Sequence, residues 1–232
     1  MVENIFKKIK NFFFDLFFPK FCLGCKKEGE YLCQDCKELL EILRIHKNYK
    51  TKYLSDLYFP LVYKKPLVKR LILTFKFEPF LKDLSFTLAS IIFDHLRLIE
   101  KEKDFSDFIL IPISIEKKRL KWRGFNQSEE IGKKLAEILK IPIFCNVLLK
   151  TKKTSPQIEL SEKERKENVK GCFLVKNRNL IKNKKILLLD DVYTTGATME
   201  EAAKTLKEAG AKEIVGMVLA RAEPGEDKLE EV

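Results

Sequence analysis

The stretch that most constrains the fold is residues 184–220, KKILLLDDVYTTGATMEEAAKTLKEAGAKEIVGMVLA. Its first part, residues 186–189, is wholly apolar and predicts a parallel strand buried on both faces. Small apolar residues then recur at helical spacing up to Gly210, a residue type that favours the end of a helix. Residues 213–220 predict a further strand. The order strand, loop, helix, strand is typical of open parallel sheets, which bind ligands beyond the carboxyl ends of their strands.

Two carboxylates and a loop of small residues separate the predicted strand from the predicted helix. Asp190 and Asp191 lie where we expect the strand to leave the sheet, and the loop TTGAT follows at residues 194–198. Backbone N–H groups at a helix N-terminus bind anions, and Gly196 would allow a close approach. The loop has no lysine and the chain has no GxGxxG, which excludes the common triphosphate and dinucleotide motifs.

A loop with amides and hydroxyls but no cation suits one phosphate monoester, and two carboxylates suit the two hydroxyls of a ribose. The alternative is that the acid pair is an ordinary strand end before a capped turn. The whole string LLLDDVYTTGAT favours the ligand site, because it resembles the phosphoribosyl diphosphate (PRPP) motif of type I phosphoribosyltransferases. The resemblance implies that the acids hold the ribose hydroxyls and the loop holds the 5′-phosphate. The implied PRPP-binding residues are Asp190, Asp191, Thr194, Thr195, Gly196, Ala197 and Thr198.

Length and composition indicate a globular protein. The 232 residues suffice for one good-sized domain and a small module, with 45% hydrophobic and 34% charged residues. The formal net charge of +11 favours a polyanionic partner or substrate.

Four cysteines near the N-terminus form two CxxC pairs, CLGC and CQDC. Two such pairs complete a tetrahedral site, so we expect Cys22, Cys25, Cys33 and Cys36 to hold a structural zinc ion in a zinc-ribbon-like module. A redox dithiol or disulfides are the competing interpretations. A redox protein would need only one pair, and with no secretory signal we expect a reducing, cytoplasmic compartment.

The first 21 residues are rich in phenylalanine and predict a helix that packs its aromatic side on the rest of the protein. A helix lying on a membrane surface is the alternative. The apolar run is short and Asp15 interrupts it, so no transmembrane segment is expected. We therefore predict an N-terminal module over residues 1–50, with the aromatic helix and the zinc site, and a second domain over residues 51–232.

Apolar periodicity predicts the remaining elements: strands over residues 57–63 and 108–113, and helices over residues 37–46, 66–75, 80–99 and 128–140. Residues 115–128 predict a basic loop around the only tryptophan of the sequence. It is either a solvated loop or an anion site at the carboxyl edge of the sheet, where side chains could also stack on bases. The candidate pyrophosphate or DNA contacts are Lys118, Arg119, Lys121, Trp122 and Arg123.

Several separated motifs extend the resemblance to the whole chain. RLKWRGFNQ, TSPQ, LSEKERKENVKGCF and LLLDDVYTTGAT, in this order behind the paired cysteines, resemble the ComF family. One departure is FKFEP at residues 75–79, where a glycine is expected soon after the Lys-Phe pair. The resemblance implies an α/β protein with a type I phosphoribosyltransferase fold, a parallel sheet flanked by helices, and an N-terminal zinc module. It also implies PRPP bound with Mg²⁺.

Two classes of function stay open. One is a phosphoribosyltransferase acting on an unidentified acceptor. Residues 117–123 and 151–157 would then cover the pyrophosphate. The other, which the resemblance implies, is a protein that handles single-stranded DNA in natural competence, together with the competence machinery. Its PRPP site would bind PRPP or another ribose 5-phosphate ligand, or grip a DNA phosphate. Glutamine amidotransferase activity is not expected, because the sequence has no N-terminal cysteine nucleophile and no glutaminase-sized domain.

Overall fold

The structure is a computed structural model that describes residues 19–77, 81–151 and 162–222. The predicted aromatic helix at the N-terminus, most of the 151–157 segment and the last part of FKFEP lie outside these residues. The chain divides into two compact units, Met1–Glu41 and Ile42–Val232. Among the described residues, no helix has both the length and the apolar character that crossing a bilayer requires.

The described part of the first unit is built around the paired cysteines. An antiparallel bridge joins Phe21 to Glu28, and a short helix, α1 (Gln34–Glu38), begins directly after Cys33. The helix predicted over residues 37–46 is wrong. In the second unit, the backbone of Leu43 makes hydrogen bonds to distant residues and not within a helix. Its N–H donates to the Pro60 carbonyl (2.9 Å), and its carbonyl lies 2.7 Å from Nδ1 of His95.

The second unit is organised around a parallel sheet, in which β7 lies between β6 and the pair β1 and β2, and β6 lies between β7 and β3. A separate antiparallel ribbon pairs β4 with β5. The strands are β1 (Asp56–Tyr58), β2 (Leu61–Val62), β3 (Phe108–Pro112), β4 (Leu148–Lys150), β5 (Phe173–Val175), β6 (Lys185–Tyr193) and β7 (Glu213–Arg221).

Helices cover the sheet, as the apolar character of its central strands requires. One of them, α7, packs on β6 and β7, while α5 packs on β3, β6 and α3. The helices of this unit are α2 (Pro66–Phe77), α3 (Leu84–Leu98), α4 (Lys117–Arg123), α5 (Gln127–Leu139), α6 (Glu162–Val169) and α7 (Ala197–Glu208). The predicted parallel sheet flanked by helices is confirmed.

Two local predictions differ from the structure. Strand β6 continues through both aspartates to Tyr193, because β7 stays paired with it as far as Arg221, whereas pairing with β3 ends at Leu189. The acid pair therefore lies beyond the end of β3 but within β6. The basic segment is not a loop but the helix α4, which ends at Gly124 in a left-handed conformation (φ 77°).

Candidate ligand and metal sites

The acid pair lies at the carboxyl edge of the sheet, where strand β6 meets the N-terminus of α5. Oδ1 of Asp190 accepts hydrogen bonds from Oγ of Ser128 and from the N–H of Asp191, both at 2.9 Å. Burial raises the pKa of Asp190 to about 7, and the negative charge of Asp191 acts in the same direction. The two neighbouring carboxylates are therefore held in different environments, one hydrogen-bonded to Ser128 and one paired with a cation.

That cation is Lys76, in the last turn of α2. Its Nζ lies 3.0 Å from Oδ2 of Asp191. Sequence reasoning missed both Lys76 and Ser128 as members of the site. In the sequence, FKFEP differs from the ComF pattern only by its missing glycine, and a lysine at the end of an amphipathic helix carries no signal for a tertiary ion pair.

The loop after the acid pair joins β6 to α7, and no side chain caps the helix at Gly196. Gly196 has a left-handed conformation (φ 77°), and the Tyr193 ring fills the space where a β-carbon would lie. Oγ1 of Thr195 lies 3.4 Å from the N–H of Ala197, a long contact. The structure thus places the predicted Thr194–Thr198 loop next to the predicted acid pair, at the N-terminus of a helix.

The five predicted basic and aromatic contacts all lie on helix α4 and form two groups that differ in solvent exposure. Lys118, Lys121 and Trp122 are exposed, and 70% of the Trp122 surface is accessible to solvent. Arg119 and Arg123, one helical turn apart, are partly buried. Arg123 is close enough to Asp191 for the two charges to interact.

A further cation near the acid pair is Lys150 on β4. Burial lowers the pKa of Lys150, the positive charge of Arg119 lowers it further, and the negative charge of Asp190 opposes both. Lys150 is therefore close enough to Arg119 and to Asp190 for its charge to interact with each of them. Lys76 on α2 therefore contacts the acid pair directly, and Arg123 on α4 and Lys150 on β4 are close enough for their charges to interact with it.

Buried donors without partners lie in the same region. Nε of Arg123 and Nε2 of Gln127 have no hydrogen-bond partner among the described residues. Nη1 of Arg123 donates to Oε1 of Gln127 at 3.2 Å, so the two side chains are adjacent. Burying a donor without a partner is unfavourable, and a ligand rich in acceptor oxygens would relieve it.

The second candidate site is the cysteine cluster of the first unit. The Sγ atoms of Cys22, Cys25, Cys33 and Cys36 all lie within 4.8 Å of one another, and Cys25 and Cys33 are 3.5 Å apart. A tetrahedral zinc ion with Zn–S bonds of about 2.3 Å needs sulfur atoms about 3.8 Å apart. The cluster has the ligands and the spacing that such an ion requires.

The environment of Cys22 favours the thiolate, the form that binds metals. Its Sγ accepts hydrogen bonds from the N–H groups of Gly24 and Cys33, both at 3.4 Å. Burial opposes ionisation, but the backbone hydrogen bonds outweigh it and lower the pKa of Cys22 to about 6. The spacing of the four sulfur atoms is the observation that fits a zinc ion.

Comparison with known proteins agrees with this architecture. A family model described as phosphoribosyl transferase domain matches residues 126–231. The chain is 37% identical over 114 residues to Competence protein F of Haemophilus influenzae, covering 49% of this chain and 50% of that protein. It is 35% identical over 104 residues to Competence protein ComFC of Bacillus subtilis, covering 44% of this chain and 40% of that protein.

More distant relatives include DNA utilization protein YhgH of Escherichia coli K12, at 30% identity over 112 residues and 48% of each chain. The chain thus spans about half the length, or less, of the curated relatives that it matches. Among solved structures, a purine phosphoribosyltransferase from Pyrococcus horikoshii aligns with 65% of this chain and 91% of that chain, at 17% identity. Its TM-score of 0.33 is too low to add to the assignment.

The domain match, the competence relatives at 35–37% identity, the parallel sheet and the clustered cysteines converge on one assignment. These findings support a ComF-family protein that carries a domain of the type I phosphoribosyltransferase fold.

Proposed function

We propose that the protein binds PRPP with Mg²⁺ at the acid pair and the Thr194–Thr198 loop, and handles single-stranded DNA in natural competence. The observation that carries the proposal is the placement of Asp190 and Asp191 at the carboxyl edge of the sheet, directly before a cation-free loop that opens a helix. The relatives named for competence and DNA utilization support the biological role.

The chemistry of the site fits a ribose 5-phosphate. The carboxylates accept hydrogen bonds from the ribose hydroxyls, and the backbone N–H groups and hydroxyls of the loop bind the 5′-phosphate. The two carboxylates would supply oxygen atoms and negative charge for a magnesium ion. Mg²⁺ is bound mostly by substrate oxygens and water, and would neutralise charge on the diphosphate.

Turnover on an unidentified acceptor is the second candidate function. Loss of pyrophosphate leaves an oxocarbenium-like ribose, which fixed negative charges stabilise. The acid pair is suitably placed in sequence and space for this role, because it would hold the hydroxyls next to the reacting carbon. Measuring pyrophosphate release from PRPP and Mg²⁺ with candidate acceptors, with and without single-stranded DNA, distinguishes binding from catalysis.

The exposed face of α4 supports the DNA part of the proposal. Lys118 and Lys121 flank Trp122, whose ring meets that of Phe77 edge-on, with ring centroids 6.1 Å apart. Phe77 is also exposed, to 48% of its surface. Cations beside exposed aromatic rings bind single strands through backbone charge and base stacking, largely without regard to sequence.

The proposal also includes a structural zinc ion at the four cysteines. We also propose that the protein acts in the cytoplasm, where it would encounter incoming DNA and the proteins of the competence machinery. Zinc would fold and stabilise the first unit, since small modules of this kind rarely hold together without their metal.

Calorimetry with PRPP and Mg²⁺ tests the ligand part. Asp190→Asn and Asp191→Asn should each weaken binding ten- to hundredfold, because a hydrogen bond to a charged group contributes roughly 1.5–3 kcal/mol. Asp107→Asn is the control, because this exposed aspartate pairs with Lys185 at the opposite end of β6. No binding by the wild type at millimolar PRPP, or unchanged affinity in both site variants, would show that the ligand is not PRPP.

A further inference from the structure

Lys76 brings a positive charge to the acid pair from outside the segment that the family model matches. That segment is residues 126–231, so the match assigns Lys76 no role. Its ion pair with Asp191 is largely withdrawn from solvent, with 23% of the lysine and 15% of the aspartate side-chain surface exposed. As Lys76 lies in the last turn of α2, the helix dipole also favours its positive charge there.

The surroundings of Lys76 favour an anion with many acceptor oxygens. The Arg123 guanidinium lies 5.4 Å from the ring centroid of Phe77, the residue that follows Lys76. Arg123 in turn contacts Gln127, and both side chains carry a buried donor without a hydrogen-bond partner among the described residues. Lys76 therefore contacts Asp191, the charge of Arg123 interacts with Asp191 as well, and Arg123 and the adjacent Gln127 each carry one unused donor.

The Thr194–Thr198 loop has the opposite character, since it offers amides and hydroxyls but no cationic side chain. PRPP carries a phosphate at C5 and a diphosphate at C1, and the ribose hydroxyls lie between these ends of the sugar. With the hydroxyls at the acids and the 5′-phosphate in the loop, the diphosphate extends to the other side of the acid pair. The more highly charged group then meets the cations, as electrostatic complementarity requires.

We propose that Lys76 determines specificity by donating to the diphosphate on C1, so that the site selects PRPP over ribose 5-phosphate. This inference rests on the proposed function, and it concerns the end of the ligand that the family motif does not contact. Asp191 holds the ammonium group of Lys76 in place beside the sugar. Little side-chain freedom is then lost when the diphosphate accepts its hydrogen bond, which favours binding.

The test is calorimetry with PRPP and with ribose 5-phosphate, each with Mg²⁺. Lys76→Met should weaken PRPP binding about tenfold or more, as expected for loss of a charge-assisted hydrogen bond. Its affinity for ribose 5-phosphate should stay close to that of the wild type, which also shows that the site is folded. Lys76→Arg keeps the charge and should retain most of the discrimination.

Lys69→Met is the matched control, because it removes the same charge from α2 about 10 Å further along the helix axis. It should leave both affinities unchanged. Equal PRPP affinity in Lys76→Met and the wild type would overturn the proposal. So would tighter binding of both ligands, which would mean that Lys76 only competes for Asp191, or equal weakening of both. A wild type that binds neither ligand contradicts the proposed function itself. If Lys76→Met does not fold, Lys76→Gln allows the same comparison.

Discussion

The hydroxyl group of Tyr193 lies directly against Gly196, in the space that a β-carbon at position 196 would need. Tyr193 is the last residue of β6, and Gly196 is the residue before α7. The Tyr193 ring also packs edge-on against the ring of Tyr49, with the two ring centroids 5.8 Å apart. The shape of the loop is therefore fixed by packing beneath it as well as by the backbone conformation of glycine.

We expect Gly196→Ala to destabilise the protein and to abolish PRPP binding. A left-handed conformation costs a non-glycine residue about 1–2 kcal/mol. At this position the collision with Tyr193 adds to that cost and displaces the loop. Chemical denaturation measures the loss of stability, and calorimetry measures the loss of binding.

The variant Gly124→Ala separates the cost of the left-handed backbone conformation from the cost of the collision with Tyr193. Gly124 has the same φ of 77°, but nothing lies within 4 Å of the place where its β-carbon would be. This variant should show the backbone cost alone, about 1–2 kcal/mol. Equal losses of stability in the two alanine variants would show that Tyr193 does not constrain the loop.

The zinc proposal predicts about one equivalent of metal in protein purified without added zinc. Cys33→Ser should lose the metal and unfold the first unit, because three thiolates leave the tetrahedron incomplete. Cys145→Ser is the control, since Cys145 lies outside the cluster. Mass spectrometry under native conditions gives the metal content. A wild type that is metal-free and fully folded would refute a structural zinc ion.

The raised pKa of Asp190 predicts a pH-dependent stability. A carboxyl group normally titrates near 4, and in the folded protein Asp190 titrates at about 7. The folded state thus holds this proton more tightly, and the resulting stabilisation is complete below pH 4 and lost as the pH rises to about 7. Between pH 5.5 and 7.5 the free energy of unfolding of the wild type should fall relative to that of Asp190→Asn. Parallel curves for the two proteins would mean that Asp190 is already ionised at pH 5.5.

The sequence predicted the sheet and the ligand loop because both depend on local pattern. Buried parallel strands are continuous apolar runs, and the acids and the TTGAT loop are contiguous in the chain. Lys76 and Ser128 were missed because they reach the acids only through the packing of α2 and α5. The helix α4 was missed because it has no buried residue and therefore no apolar periodicity. The false helix over residues 37–46 shows the converse, since the backbone of Leu43 bonds to Pro60 and His95 instead.

The last prediction concerns the exposed face of α4. Replacing Lys118 and Lys121 by alanine should weaken binding of single-stranded DNA and lower its salt dependence by about two phosphate contacts. Trp122→Ala should weaken binding by about 1–3 kcal/mol with the salt dependence unchanged, because stacking releases no counterions. Arg123 is partly buried and its charge interacts with Asp191, so its replacement should affect PRPP binding more than DNA binding.

Lys133 and Lys134 on α5 provide the matched control, because each is ion-paired with a glutamate of its own helix. Replacing them by alanine makes the same change in net charge and should leave the salt dependence of DNA binding almost unaltered. Fluorescence anisotropy with an oligothymidylate, titrated over a series of salt concentrations, gives both slopes. If the two double variants lower the slope equally, DNA responds to net charge alone, and α4 is not the surface that binds it.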